Sequence, residues 1–399
     1  MALASPEQAT IVTDRLRAAA VTRLALTDFR SYATLRLALD GRPVVLTGPN
    51  GAGKTNLLEA VSFLSPGRGL RRAALAEVGR REPGDPAARP WAVAATVATE
   101  GGAVEIGTGL VSEPDDGAAR RVVRIDGRPA RGQGALAELL GALWVTPEMD
   151  KLFGEGAGAR RRFLDRLVFG LDAAHATRLA AYERALRDRA RLLRGERIAR
   201  PAGDSAWLSA LERTMAEEGM AVVAARQALA ARLNAACQAS AGPFPAAHLR
   251  LEGEVESWLA VMPALDAEDR FREALARARA RDADTGGAAL GPHRSDVMAT
   301  HVAKGEPAAR CSTGEQKALL VAIVLADARL RALDRGTAPL LLLDEIAAHL
   351  DAARRAALFD EVASLGAQAW MSGTDDQAFA PILARAQHFR VERGRLVAA

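Results

Sequence analysis

An α/β fold is predicted for this chain, with one head assembled from both ends of the sequence and a helical second lobe inserted between them. Three observations predict it. An apolar strand runs into a glycine-rich turn and then an amphipathic helix over residues 43–64. A run of four leucines ending in two acids lies at 340–345, and between about Arg160 and Arg281 the strand pattern gives way to helical periodicity. The implied divisions are 1–158, with the glycine-rich turn and a β meander; 159–285, the inserted helical lobe; and 286–399, the returning part of the head.

From Val21 to Thr47 the segments VTRLALTDF, LRLAL and PVVLT read as strands leading into the glycine-rich turn. Leu57, Leu58, Val61 and Leu64 follow at helical spacing, and WAVAATVAT, AVEIGTGL and RVVRI at 91–125 read as an antiparallel meander. In the lobe, Leu179, Leu186 and Leu193 recur by sevens with Tyr182 between them, as do Leu208, Met215, Val222 and Leu229 with Leu211 and Ala225. Glu218 and Arg232 interrupt that second seam, so a compact arm is expected, not a long coiled coil. RDADTGGAAL closes the arm, and LLLLDE and AQAWMSG restore the strand-and-helix pattern.

Composition bounds the function classes. A chain of 399 residues, half of them apolar, can bury a sizeable core in two or three domains. Cys237 and Cys311 have no C-x-x-C spacing, which argues against a disulfide framework or a structural zinc. The opening MALASPEQATIVTDRL lacks the apolar stretch of a secretory signal, and no run reaches the ~18 apolar residues of a membrane span. A cytoplasmic protein with no membrane association is expected. The formal charge is +4, with only Lys54, Lys151, Lys304 and Lys317 as lysines, a skew that reflects composition more than nucleic-acid binding. Residues 151–200 hold 13 Lys/Arg against 6 Asp/Glu, which suits a solvated helix face as well as a phosphate-binding stripe.

GPNGAGKT, Gly48 to Thr55, fits G-x-x-x-x-G-K-T without a mismatch and lies between strand and helix as that motif requires. Gly48, Gly51 and Gly53 let the backbone through Pro49, Asn50 and Ala52 curl so that N–H groups face phosphate oxygens, and the helix beginning there adds its dipole. Lys54 is placed for the β and γ phosphates of ATP, and Thr55 for Mg²⁺. LLLLDE then offers Asp344 for Mg²⁺ and Glu345 to orient or deprotonate the attacking water. Alone, that run reads equally well as a core strand ending in a polar turn; the phosphate loop tips the balance.

CSTGEQKALL places Ser312, Gly314 and Gln316 at the head of an apolar helix, where Ser312 and Glu315 form a capping box. The same residues resemble the S-x-G-x-Q signature of ABC-type ATPases, whose serine and N–H groups hold the γ-phosphate bound to the other subunit. Both readings can hold together. Asp351, after His349 and Leu350, stands where that class has an aspartate at the dimer contact. The 258 residues from Lys54 to Ser312, and the 48 after Asp351, make the insertion longer than in transport ATPases and far shorter than in Rad50 and SMC proteins. No glutamine lies at 146–150, and MSGTD at 371–375 puts Ser372 or Thr374 where transporters have a switch histidine.

With these motifs the chain resembles, from Val21 onward, the RecF family of bacterial DNA replication and repair proteins. LTDFRSY at 26–32, GPNGAGKTNLLEA at 48–60 with its trailing Asn56 and Glu59, TPEMD at 146–150, ARRRFLD at 159–165 and GPHRSD at 291–296 carry the resemblance. Ser295 departs from it by replacing an aspartate, and GRGLRRA at 67–73 follows it only loosely. The resemblance implies an ATP-dependent homodimer that binds duplex DNA near single-strand junctions, hydrolyses ATP slowly with DNA stimulation, and works with RecO and RecR in loading recombinase. It also implies nucleotide contact by Arg30 and Ser31, against which a solvated strand end is the plain alternative. Arg160, Arg161 and Arg162 are candidates for DNA phosphates or simply a charged helix start, and His293 and Arg294 for a subunit or nucleotide-facing surface or a turn. Rival readings are an ATP-binding module with negligible turnover and a transporter ATPase subunit.

Overall fold

The computed structural model describes residues 19–85, 87–112, 119–195, 204–240, 242–348 and 350–399. Two compact units share the chain: Met1–Asp150, Ala241–Phe244 and Leu320–Ala399 form the first, Lys151–Ser240 and Pro245–Leu319 the second. These boundaries differ from the divisions at 158 and 285 read in the sequence, and Ser312 falls in the second unit.

Along the chain, β1 (Ala20–Phe29), β2 (Tyr32–Ala38) and β3 (Val44–Thr47) precede helix α1 (Lys54–Ser62). The expected meander follows as β4 (Ala92–Thr99), β5 (Gly102–Ser112) and β6 (Ala119–Ile125), with β7 (Arg128–Pro129) and β8 (Ala142–Val145) after it. The second unit holds α2 (Ala157–Leu171), α3 (Ala174–Leu193), α4 (Asp204–Ala239), β9 (Ala247–Glu252), α5 (Ala264–Arg277), β10 (Asp296–His301) and β11 (Glu306–Pro307). Helix α6 (Thr313–Arg335) leads to β12 (Leu340–Leu343), α7 (Ala352–Ser364), β13 (Ala369–Gly373), β14 (Gln387–Glu392) and β15 (Arg395–Ala398).

The first unit contains two six-stranded sheets, ordered β2-β1-β4-β5-β6-β7 and β15-β14-β3-β13-β12-β8. The former is antiparallel throughout, whereas the latter is parallel apart from β15. Every residue of β3, β12 and β13 is buried, as parallel strands covered on both faces require. One core joins Leu24, Leu26 and Phe29 of the antiparallel sheet, Leu57, Leu58 and Val61 of α1, and Leu46, Leu342 and Trp370 of the parallel sheet. At about 1.5–3 kcal/mol per buried aliphatic side chain, this contact fixes α1, and with it the loop before it, against both sheets.

The second unit corrects the all-helical expectation, because β9 pairs antiparallel with β10. AHLRLE alternates buried and exposed residues with period two, but six residues amid helical sequence are too few for that alternation to stand out. Of the seam expected in α4, Met215, Val222 and Leu229 are buried, as is Leu211 beside them, whereas Leu208 and Ala225 are half-buried. In α3 the buried line instead runs through Tyr182, Ala185 and Arg189, while Leu179, Leu186 and Leu193 are half-buried. Arg189 is tolerated there because Glu212 and Asp282, 3.0 and 2.8 Å away, neutralise it and the Leu275 carbonyl accepts at 2.7 Å.

Candidate nucleotide site

The phosphate loop leaves β3 through Gly48, whose φ of 141° suits glycine alone; a Cβ there would lie 2.3 Å from the Val391 carbonyl oxygen. Gly53, at φ 116°, is pressed against Ser31 Oγ and Tyr32 Oη, and Tyr32 donates to its carbonyl at 3.0 Å. The turn between β14 and β15 closes the other side, with Gly394 N–H donating to the Ala52 carbonyl at 2.9 Å. Because Gly53 offers no side-chain cap to α1, the first-turn N–H groups remain available to an anion. Lys54 is 4 % exposed, and its Nζ donates to the carbonyls of Gly48 (2.8 Å) and Pro49 (3.1 Å) and lies 3.4 Å from Glu345 Oε1.

Parallel pairing delivers the acids. Leu343 is in register with Val145 on one side and Met371 on the other, and Gly373 with Thr47, so β3, β13, β12 and β8 end together. Thr55, Asp344 and Ser372 thereby meet from three distant parts of the sequence. Thr55 Oγ1 and Ser372 Oγ donate to Asp344 Oδ1 at 3.0 and 2.6 Å, and Glu345 N–H donates to Ser372 Oγ at 2.9 Å. Ser372, not the exposed Thr374, is therefore the residue that touches the acids. Burial pushes the Asp344 carboxyl above its ordinary range, against the lowering effect of both hydroxyls. A desolvated carboxylate beside a threonine hydroxyl is a hard-oxygen donor pair that fits Mg²⁺, whose charge would restore the ionised form.

Around the loop, Asn56 donates to Ser31 Oγ at 2.9 Å and accepts from Arg71 at 2.7 Å. Arg30 forks onto the fully buried Glu59 at 2.9 and 2.8 Å, and Arg71 reaches the same carboxylate at 3.1 Å. Ser31 therefore borders the loop, while the Arg30 side chain is turned to Glu59 and the Glu77 carbonyl. Arg71, Tyr32 and Gly394 were missed in the sequence. GRGLRRA held the signal for Arg71, whereas only the fold brings the other two to the loop.

In the second unit Ser312 precedes α6, and Glu315 Oε2 accepts from both its N–H (3.0 Å) and its hydroxyl (2.9 Å). Lys304 pairs with the same carboxylate at 2.5 Å, and this contact, with the two from Ser312, lowers the Glu315 pKa to about 2. Gly314 lies in the first turn of α6, and Gln316 donates to the Cys311 carbonyl at 2.9 Å. Back in the first unit, Asp351 caps α7 by accepting from Arg354 N–H at 2.8 Å, while His349 lies outside the described residues.

The arginines at 160–162 are largely engaged within the second unit. Arg160 forks onto Asp296 at 2.8 Å through both nitrogens, and Arg161 donates to the Ser295 carbonyl at 2.5 Å. Arg162 is exposed. Asp165 receives Arg226 at 2.7 and 2.8 Å, and Arg226 also holds the Pro292 carbonyl, so ARRRFLD and GPHRSD are two sides of one packed network. His293 Nε2 must donate to the Ala288 carbonyl at 3.0 Å, leaving Nδ1 to accept from Tyr182 at 2.7 Å; burial lowers its pKa and favours this neutral form. Arg294 donates to the same carbonyl at 3.1 Å. Ser295 donates to the carboxylate of buried Glu256, a contact that an aspartate would replace with repulsion.

A parallel sheet whose strand ends gather a phosphate loop, a magnesium-type carboxylate and a second acid defines an ATP-binding ATPase head. The family model for the RecF/RecN/SMC N terminal domain matches residues 20–382. Among curated proteins, the DNA replication and repair protein RecF of Rhizobium meliloti (strain 1021) is 52 % identical over 378 residues, covering 94 % of this chain and 98 % of that protein. That of Caulobacter vibrioides (strain ATCC 19089 / CIP 103742 / CB 15) is 49 % identical over 380 residues, covering 94 % and 97 %. The chain belongs to the RecF family of DNA replication and repair proteins. Its fold also matches the solved structure of the recombination mediator protein RecF-ATP in the RecFOR pathway, with a TM-score of 0.77 at 20 % identity over 96 % of this chain and 99 % of that one. An SmcHead bound to the C-winged helix domain of ScpA matches at a TM-score of 0.51 and 17 % identity, over 95 % and 97 %.

Proposed function

We propose that this chain is an ATP-dependent clamp on duplex DNA near single-strand junctions, dimeric while ATP is bound and released by slow, DNA-stimulated hydrolysis. The observation that carries the reading is the meeting of Lys54, Thr55, Asp344 and Glu345 at one end of the parallel sheet. Gly48–Gly53 receives the phosphates on backbone N–H groups, with Ser31 at its border, and Lys54 exchanges its loop carbonyls for phosphate oxygens. Thr55 and Asp344 would hold Mg²⁺, which would supply charge neutralisation for the transferring phosphoryl group. Glu345, standing beside Lys54 and tied through its backbone to Ser372, orients the attacking water and takes its proton. Ser312, Gly314 and Gln316 of one subunit close over the nucleotide of the other, with Asp351 at the contact between subunits.

Partnership with RecO and RecR in recombinational repair is supported by the named pathway of the solved RecF, and a cytoplasmic location belongs to the same reading. The 258 residues between Lys54 and Ser312, the lack of a glutamine at 146–150 and the serine and threonine at 372 and 374 favour this reading over a transporter subunit. Sizing the protein by sedimentation with ATP, with ADP and without nucleotide, each with and without duplex DNA, tests the proposal. A dimer with ATP alone that binds duplex is expected; a monomer under all conditions overturns it. Phosphate release measured on the same samples separates an ATPase from a module that only holds ATP.

A further inference from the structure

With Arg160 and Arg161 held by Asp296 and the Ser295 carbonyl, DNA phosphates need other partners, and the antiparallel sheet of the first unit has an open face that supplies them. Its register aligns Arg36 with Ala25, Ala25 with Ala94, Ala94 with Gly107, and Gly107 with Arg124. One row across five strands is thus floored by two methyl groups and a glycine and ends in an arginine on each side. Strand alternation adds Arg23 on β1 and Arg120 on β6 to the same face. All four arginines are exposed, and among the described residues no carboxylate pairs with any of them.

Several arginines elsewhere in the chain face carboxylates: Arg89 has Glu82 and Asp85, Arg178 has Asp172, and Arg277 has Glu273. Arg121, next to Arg120 but pointing inward, is used up in the core on the Phe63 and Gly67 carbonyls. On the open face the opposing acids are Glu105 and Asp126 at one end, and Asp126 is occupied by the Glu105 N–H at 2.9 Å. Exposed Ala92 and Ala94 on the central strand are poor strand formers, so sheet stability does not account for the low floor. Four strand spacings of about 4.8 Å set Arg36 and Arg124 roughly 19 Å apart along the backbone, on the order of a duplex's width.

We propose that this face is a contact surface for the phosphate backbone of duplex DNA, with Arg23 and Arg36 facing one strand and Arg120 and Arg124 the other. The inference rests on the reading above that the chain binds DNA. It implies binding without base selection, since the floor carries nothing that reaches into a groove.

The test compares wild type with an Arg36→Gln/Arg124→Gln double variant and an Ala94→Glu variant, titrating a fluorescent duplex in ATP over a range of salt. Both should keep the wild-type melting temperature, ATP affinity and ATP-dependent sedimentation, because these side chains touch neither core nor loop. Two lost phosphate contacts should make the slope of log K against log salt shallower by about 2 and weaken binding roughly thirtyfold near physiological salt. Ala94→Glu should weaken it without touching an arginine. Unchanged affinity and slope in both variants overturn this surface, including the case in which the face serves a protein partner instead. Absence of duplex binding by wild type would overturn the underlying reading, an outcome distinct from failure of the face.

Discussion

Lys54 and Asp344 show how single side chains balance binding against stability. Lys54 Nζ is buried on two loop carbonyls, so Lys54→Met leaves those acceptors to solvent while removing the cation that meets phosphate. ATP hydrolysis should fall by about 100-fold or more, with the fold retained by circular dichroism, as when one preorganised donor is lost from a reaction centre. Asp344 poses the opposite problem. Its pKa is raised by burial, so the carboxyl favours the fold below its ordinary range and loses that contribution as pH rises through the raised value. Asp344→Asn keeps an Oδ1 acceptor for Thr55 and Ser372 but cannot ionise. The nucleotide-free variant should therefore melt at or above wild type at neutral pH, with the gap closing as pH falls into the ordinary carboxylate range. Magnesium and ATP should raise the melting temperature of wild type only, and a lower melting point for the variant at neutral pH would refute the burial argument.

At the scale of elements, helix starts do two kinds of work. The start of α1 is uncapped and faces the loop, whereas those of α6 and α7 are occupied by Glu315 and Asp351. Ser312 donates to an exposed carboxylate that Lys304 also holds, so its hydroxyl matters little to the fold. Ser312→Arg should cost no more than about 1 kcal/mol in unfolding free energy, the typical size of a cap. If Ser312 closes over a partner's nucleotide, the variant should bind ATP as a monomer yet fail to dimerise, which nucleotide titration and sedimentation on one preparation will show. Retained dimerisation would leave the cap as its entire role. The Ser312–Glu315 pairing was legible in the sequence because it is local, its two members only three positions apart. The β9–β10 pairing was not, since its hydrogen bonds join segments 44 or more residues apart.

For the whole molecule, the proposed ATP-bound dimer predicts that hydrolysis and release are one event. Glu345→Gln keeps hydrogen bonding but removes the base, so the variant should remain dimeric and DNA-bound with ATP long after wild type has dissociated, as followed by sedimentation and fluorescence anisotropy. Turnover equal to wild type would remove Glu345 from the reaction. The phosphate loop, the strand of leucines with its two acids, the helical insertion and the family were all readable from the chain itself, because each depends on contiguous residues whose spacing is set by backbone geometry. What only the tertiary structure decided is where charges end up. Arg160 and Arg161 read as basic surface but face Asp296 and the Ser295 carbonyl, Arg30 turns to Glu59, and Ser372 rather than Thr374 meets Asp344. Charge is written in the sequence one residue at a time, whereas its partner is chosen by strand register and helix packing, and those join positions that no local pattern connects.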